Sequence, residues 1–354
     1  MYTLLGVLLA SLPLPQRTSV HDRRVPARLL DTGVPGDLDS MFGAKRFGRP
    51  TTEQAGFELT SVTQRITQYN KETGQPRGGL VNPKLLTAIQ LEDEHGNLDH
   101  KQENVHASIA GLAVDYLSRL ARVRAGAGEE AARAAVDVFR ASLMGAQRIT
   151  DFGGYPSAVG DARQAVLSLN IKEHEDGIVG YAMDETAVLI ACQLATYDVA
   201  LRAGVGLYNP ESTLRAPDEV TTAHILVMVH RAERFFAEHG PIVADGFIFM
   251  NEVQHAADER GGYTDLVDSG DGDFLTEDTL WDFKVSASKP TKDHVLQLLM
   301  YFLMGKQSGL PEFEALTHVG IFNPRLNVVY RLAVVDVPPE IIDTIRYDVI
   351  GYGA

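Results

Sequence analysis

The chain of 354 residues holds one cysteine and one tryptophan, and its Lys and Arg number 32 against 47 Asp and Glu. A single cysteine excludes a disulfide framework and suits a reducing, cytoplasmic setting. Cys192 lies in an apolar helical run and reads as an inert core thiol. No stretch is long and apolar enough to read as a membrane span. The run Leu4–Leu12 is too short to cross a bilayer, and no Lys or Arg precedes it, so the secretory-signal pattern is incomplete. Nowhere does Gly-x-x-x-x-Gly-Lys-[Ser/Thr] occur, which excludes a phosphate loop and an ATP-driven motor. No internal repeat is present.

What remains is a folded protein, with 45% hydrophobic residues and length for one large domain or two. Residues 1–50 are rich in Pro, Gly and Arg and read as an irregular arm. Its cluster Lys45-Arg46-x-x-Arg49 reads as a solvated loop rather than a phosphate contact. Residues 51–215 read as a mainly helical region of unknown role. Helical periodicity is clearest over Asn104–Val123, with Val105, Ile109, Leu112, Tyr116, Leu117 and Leu120 on one stripe. Further helices are expected over residues 52–70, 129–144 and 186–203. His106 reads as a surface or capping residue. Two prolines and polar residues over Asn209–Asp218 mark a boundary. After it come a long helix, Glu219–His239, and an apolar strand, Pro241–Met250. Thr317–Phe322 and Val328–Val335 read as two strands joined by a turn, in which Arg325 reads as a turn residue rather than a phosphate contact. Pro338–Tyr347 reads as a closing helix.

The stretch Gly261–Gly305 carries the chemistry. Tyr263–Ser269 and Leu280–Ser286 alternate apolar and polar residues, the signature of strands. Gly270–Asp278 between them reads as a polar loop. Antiparallel pairing of the two strands is expected to bring Asp265 close to Asp282. Asp282 and Lys284 are two apart and share a strand face. Two carboxylates and an ammonium at one spot suit a hard divalent cation such as Mg²⁺ and a phosphate substrate. In the helix that follows, Gln297 and Tyr301 are four apart and lie on one face.

At these residues the sequence resembles the PD-(D/E)XK nuclease superfamily. Asp265, then Asp282-Phe283-Lys284, then Gln297-Leu-Leu-Met-Tyr301 resembles its RecB-like branch, over roughly Thr221–Val335. The absence of a four-cysteine cluster excludes the iron–sulfur variant, and Thr264 rather than proline precedes Asp265. The resemblance implies an α/β fold: a restriction-endonuclease-like mixed sheet flanked by helices over residues 216–354, following the helical region. It implies hydrolysis of nucleic-acid phosphodiesters, DNA favoured, with Mg²⁺ or Mn²⁺. Asp265, Asp282 and the backbone carbonyl of Phe283 would hold the metal, helped by His230 or Glu233 on the preceding helix, with Glu252 behind them. Lys284 would orient the attacking water, and Gln297 and Tyr301 would hold the strand.

The formal net charge of −15 runs against a basic nucleic-acid footprint. Nine acidic residues fall between Asp258 and Asp282 against Arg260 alone. Cations at the site would offset part of this, and a basic partner subunit or a homo-oligomer would offset more. Two other classes compete: a catalytically inactive adaptor, and a calcium-binding protein built on Asp268-Ser-Gly-Asp-Gly-Asp273. Gly270 and Gly272 stand where calcium ligands belong in an EF-hand register, which argues against the last.

Overall fold

The structure, a computed structural model, describes residues 60–174, 177–250, 262–267 and 269–353. The amino-terminal arm, the Lys45 cluster and Glu252 lie outside the described residues. The described residues form one compact unit of the α/β class.

A six-stranded mixed sheet is its centre. The strands are β1 (Thr87–Gln90), β4 (Ile242–Met250), β5 (Ser269–Thr276), β6 (Thr279–Phe283), β7 (His318–Asn323) and β8 (Val328–Ala333), in spatial order β1-β8-β7-β6-β5-β4. Only β6 and β7 run parallel; every other pair in this sheet is antiparallel. A parallel pair needs a crossover, and the helix α9 (Lys292–Ser308) supplies it. A two-stranded ribbon, β2 (Ile171–Glu173) and β3 (Val179–Tyr181), stands apart from the sheet.

Each face of the sheet is closed by apolar side chains. On one, Leu275, Leu280, Val319 and Ile321 pack with Leu296, Leu299 and Met300 of α9 and with Val62 and Ile66 of α1 (Val62–Glu72). On the other, Phe235 of α8 (Glu219–His239) stacks on Phe322 at 4.3 Å and meets Trp281 edge-on at 4.9 Å. Strand alternation separates the two sets: Trp281 points to α8 while Leu280 points to α9. The buried indole N–H donates to Thr276 Oγ1 at 2.9 Å, so its polar edge is satisfied.

The helical region comprises α2 (Ala107–Leu120), α3 (Glu129–Val138), α4 (Arg140–Phe152), α5 (Ala158–Leu167), α6 (Glu185–Arg202) and the short α7 (Pro210–Thr213). The His106 side chain caps α2, accepting from the Ser108 N–H. The single helix expected over residues 129–144 is two, because Phe139 leaves helical geometry and its ring is fully buried against Tyr116. The closing helix α10 (Pro339–Thr344) continues into a wider turn over residues 345–350.

The hairpin differs most from expectation. Residues 263–267 form a bend rather than a strand, held by Thr264 N–H donating to the Val267 carbonyl at 2.8 Å. The strand facing β6 is Ser269–Thr276, most of which reads as loop in sequence. Packing overrides its poor strand composition. A Cβ at Gly272 would lie 1.8 Å from Phe247 Cζ, and one at Gly270 would lie 3.0 Å from Tyr301 Cε1. The glycines let β4 and α9 approach the strand where side chains would obstruct them.

Among the described residues no helix is long and apolar enough to cross a membrane.

Candidate functional site

β5 and β6 pair with Phe274 opposite Trp281 and Leu275 opposite Leu280. One step along that register, Asp273 faces Asp282. The Phe283 N–H donates to Asp273 Oδ2 at 2.5 Å, which fixes that carboxyl across the strand gap. Asp273, not Asp265, is therefore the cross-strand partner of Asp282. Asp265 sits exposed in the bend before β5. The same strand runs against the calcium-loop reading, because residues 269–272 are extended and paired with β4 rather than looped.

Asp282 is only 6% exposed. Lys284 Nζ stands 3.1 Å from Asp282 Oδ2, an ion pair within one strand face. That oxygen is buried and accepts no properly directed hydrogen bond. A buried carboxylate oxygen is costly unless it is fully compensated, and here its near partner is the Lys284 ammonium. Burial, first, and then the charges of Asp282 and Asp115 push the Asp273 carboxyl up to about 7; Lys284 and the Phe283 N–H pull the other way. The pair is thus short of positive charge when it stands alone.

Two residues that the sequence reading passed over face this spot. Asp115 on α2 adds the second negative charge felt by Asp273, after that of Asp282. His294, in the first turn of α9, has its imidazole held below its ordinary value by burial and then by Lys284, while Asp282 and Asp293 raise it. Its ring also caps the helix, accepting from the Thr291 N–H. His294, Gln297 and Tyr301 follow at i, i+3 and i+7, one stripe of α9. Gln297 Nε2–H donates to the Tyr301 hydroxyl at 3.1 Å, and the Tyr301 ring lies 3% exposed, edge-on to Phe247 at 5.7 Å. The i, i+3 step from His294 was legible in sequence. Asp115 had no such signal, being about 160 positions before its neighbours.

The expected helpers on α8 are elsewhere. His230 and Glu233 are exposed and bond each other at 2.9 Å. Among the described residues no three His, Cys, Asp or Glu side chains gather closely enough to hold an ion, so the set of Asp265, Asp282 and His230 or Glu233 is not assembled. Phe283 contributes its N–H to Asp273, and its half-buried ring meets Phe322 edge-on at 5.7 Å. Arg325 is no phosphate contact: it is 1% exposed and bonds Glu103 with both terminal nitrogens, at 2.5 and 2.9 Å.

Mg²⁺ and Mn²⁺ commonly take one or two carboxylates and complete their shell with water and substrate oxygens. Two carboxylates in register, that of Asp282 buried beside Lys284, fit that donor set. A soft metal is a poor fit, since Cys192 is buried in α6 with its thiol pushed up to about 12 by burial.

No family model matches the chain, and neither a curated protein nor a solved structure matches it.

Proposed function

We propose that the chain is a divalent-metal-dependent nuclease that hydrolyses phosphodiester bonds, with DNA as the favoured substrate and the cytoplasm as its setting. The reading is that of a PD-(D/E)XK-type hairpin in which Asp273 takes the place expected of Asp265. One observation carries it: Asp273 faces Asp282 across β5 and β6, and the Lys284 ammonium stands 3.1 Å from a buried Asp282 oxygen, which gathers two carboxylates and a cation at one place. The strand order supports it as well, a hairpin followed by a crossover helix and a parallel strand.

Mg²⁺ or Mn²⁺ held by Asp273 and Asp282 would supply Lewis acidity at the phosphate and acidify an attacking water. The chain's own groups do the rest. Lys284 orients that water and neutralises charge gathering on the phosphoryl oxygens. The Phe283 N–H holds the Asp273 carboxyl, and burial restricts that of Asp282, so both are constrained before a ligand arrives. Gln297, whose amide bonds the buried Tyr301 hydroxyl on the crossover helix, would contact the nucleic-acid strand, with Tyr301 holding it in place.

The test is a cleavage panel on single-stranded, duplex and circular DNA and on RNA, with Mg²⁺ or Mn²⁺ and with EDTA. Cleavage that EDTA abolishes and that Lys284→Ala lowers by about a hundredfold or more is expected. A Lys284→Ala protein with full activity would remove the lysine from the chemistry.

A further inference from the structure

Two arginines next to the carboxylate pair are held by an acid that faces solvent. Arg119 lies in the last turn of α2 and Arg122 just past its end. Arg122 Nη2 is 2.9 Å from Asp245 Oδ2, and Arg119 Nη1 is 3.5 Å from Asp245 Oδ1. Arg119 Nε also bonds Asp115 at 3.1 Å. The Arg122 guanidinium lies 4.6 Å over the Phe236 ring, which fixes its plane. Both arginine side chains are about three-quarters buried, while the Asp245 side chain is 42% exposed. The cations are anchored; the acid is the part free to leave.

β4 is bent to place that acid. Asp245 is opposite Phe274 and Phe247 is opposite Gly272, so Gly246 lies opposite Asp273. In a regular strand Asp245 and Phe247 would share a face. Here Asp245 turns to the arginines while Phe247 packs under α9 against Tyr301 and Phe313. The φ of +79° at Gly246 breaks the alternation. Where a Cβ would sit on Gly246, Arg119 Nη1 is 3.6 Å away, so the guanidinium passes over β4 beside the strand position facing Asp273. Arg119 in turn feels the negative charge of Asp273.

We propose that Arg119 and Arg122 form a phosphodiester-binding clamp beside the carboxylate pair, and that Asp245 occupies it in the free protein as an internal stand-in for phosphate. A carboxylate and a phosphate offer a guanidinium the same pair of acceptor oxygens. Two fixed guanidinia suit a backbone phosphate next to the one under attack. The clamp explains how a chain of net charge −15 engages a polyanion: its cations are local, and an acid masks them until substrate displaces it. The inference rests on the nuclease reading for the identity of the substrate, not for the existence of the site.

The experiment is a metal-free titration of a fluorescein-labelled DNA oligonucleotide, read by anisotropy across a salt series, on the full chain. Asp245→Asn is expected to tighten binding severalfold and to steepen the slope of log affinity against log salt by about one. Arg122→Gln and Arg119→Gln are each expected to weaken binding and flatten that slope by about one. Asp245→Asn with wild-type affinity and slope overturns the clamp. Should that variant melt out, Arg122→Gln decides, and an unchanged slope overturns it equally. Inorganic phosphate serves as competitor: displacement at matched concentration makes this a site for free phosphate and overturns the backbone assignment. Arginine-dependent binding without any cleavage would sink the hydrolase and keep the clamp. Metal-dependent cleavage with titrations indifferent to all three substitutions would do the reverse.

Discussion

A carboxyl pushed up to about 7 carries its own pH signature, and Asp273 has one. Its folded value lies above the ordinary 3.8, so the folded protein binds a proton more tightly than the unfolded chain does. Stability from this residue is complete below about pH 4 and falls as the pH rises towards about 7. In EDTA, denaturant titrations are expected to show wild type losing stability across that window relative to Asp273→Asn. Parallel curves would mean the carboxyl is not strained. The same substitution that stabilises the metal-free protein at higher pH is expected to abolish cleavage. Asp282→Asn should do likewise, costing about a hundredfold or more in rate. At this scale the sequence was half legible. Asp282, Lys284, Gln297 and Tyr301 announce themselves by spacing within a strand or a helix. Asp273 sits in a Gly-Asp run whose composition resembles a loop, and Asp115 reaches the site only through the tertiary fold.

Among the elements, α8 shows what local rules can deliver. Asp218 accepts from the Thr221 N–H, an apolar stripe follows, and Gly240 ends the helix, so its bounds are those expected, Glu219–His239. β5 shows where they stop. Its glycines depress strand propensity, yet the strand needs them because Phe247 and Tyr301 occupy the space their side chains would take. Gly272→Ala is therefore expected to cost about 1–3 kcal/mol by overpacking, and to lower cleavage because the strand also carries Asp273. A wild-type melt would show that Phe247 yields without cost. The turn between β7 and β8 depends on a different device. Arg325 and Glu103 are both buried and bonded twice, and His224 leans on the same acid at 3.0 Å. Removing one partner leaves a buried charge alone. Glu103→Ala is expected to lose about 3–5 kcal/mol by denaturant titration, a loss unrelated to catalysis.

Across the whole molecule the question is charge. The surplus of acid gathers around the hairpin, and the opposing cations there, Lys284, Arg119 and Arg122, are each paired with an aspartate. Ions that bind the folded state alone stabilise it by mass action, so Mn²⁺ at a hundred times its dissociation constant is expected to add about 2.7 kcal/mol. That gain should vanish in Asp282→Asn, and its persistence would place the ion elsewhere. The most direct measurement compares Mn²⁺-dependent DNA cleavage by wild type, Asp273→Asn and Asp265→Asn. Cross-strand assembly of Asp273 with Asp282 predicts that Asp273→Asn is inactive while Asp265→Asn, altered only in an exposed bend, cleaves as wild type does. The opposite pattern, with Asp265 essential and Asp273 dispensable, would contradict it.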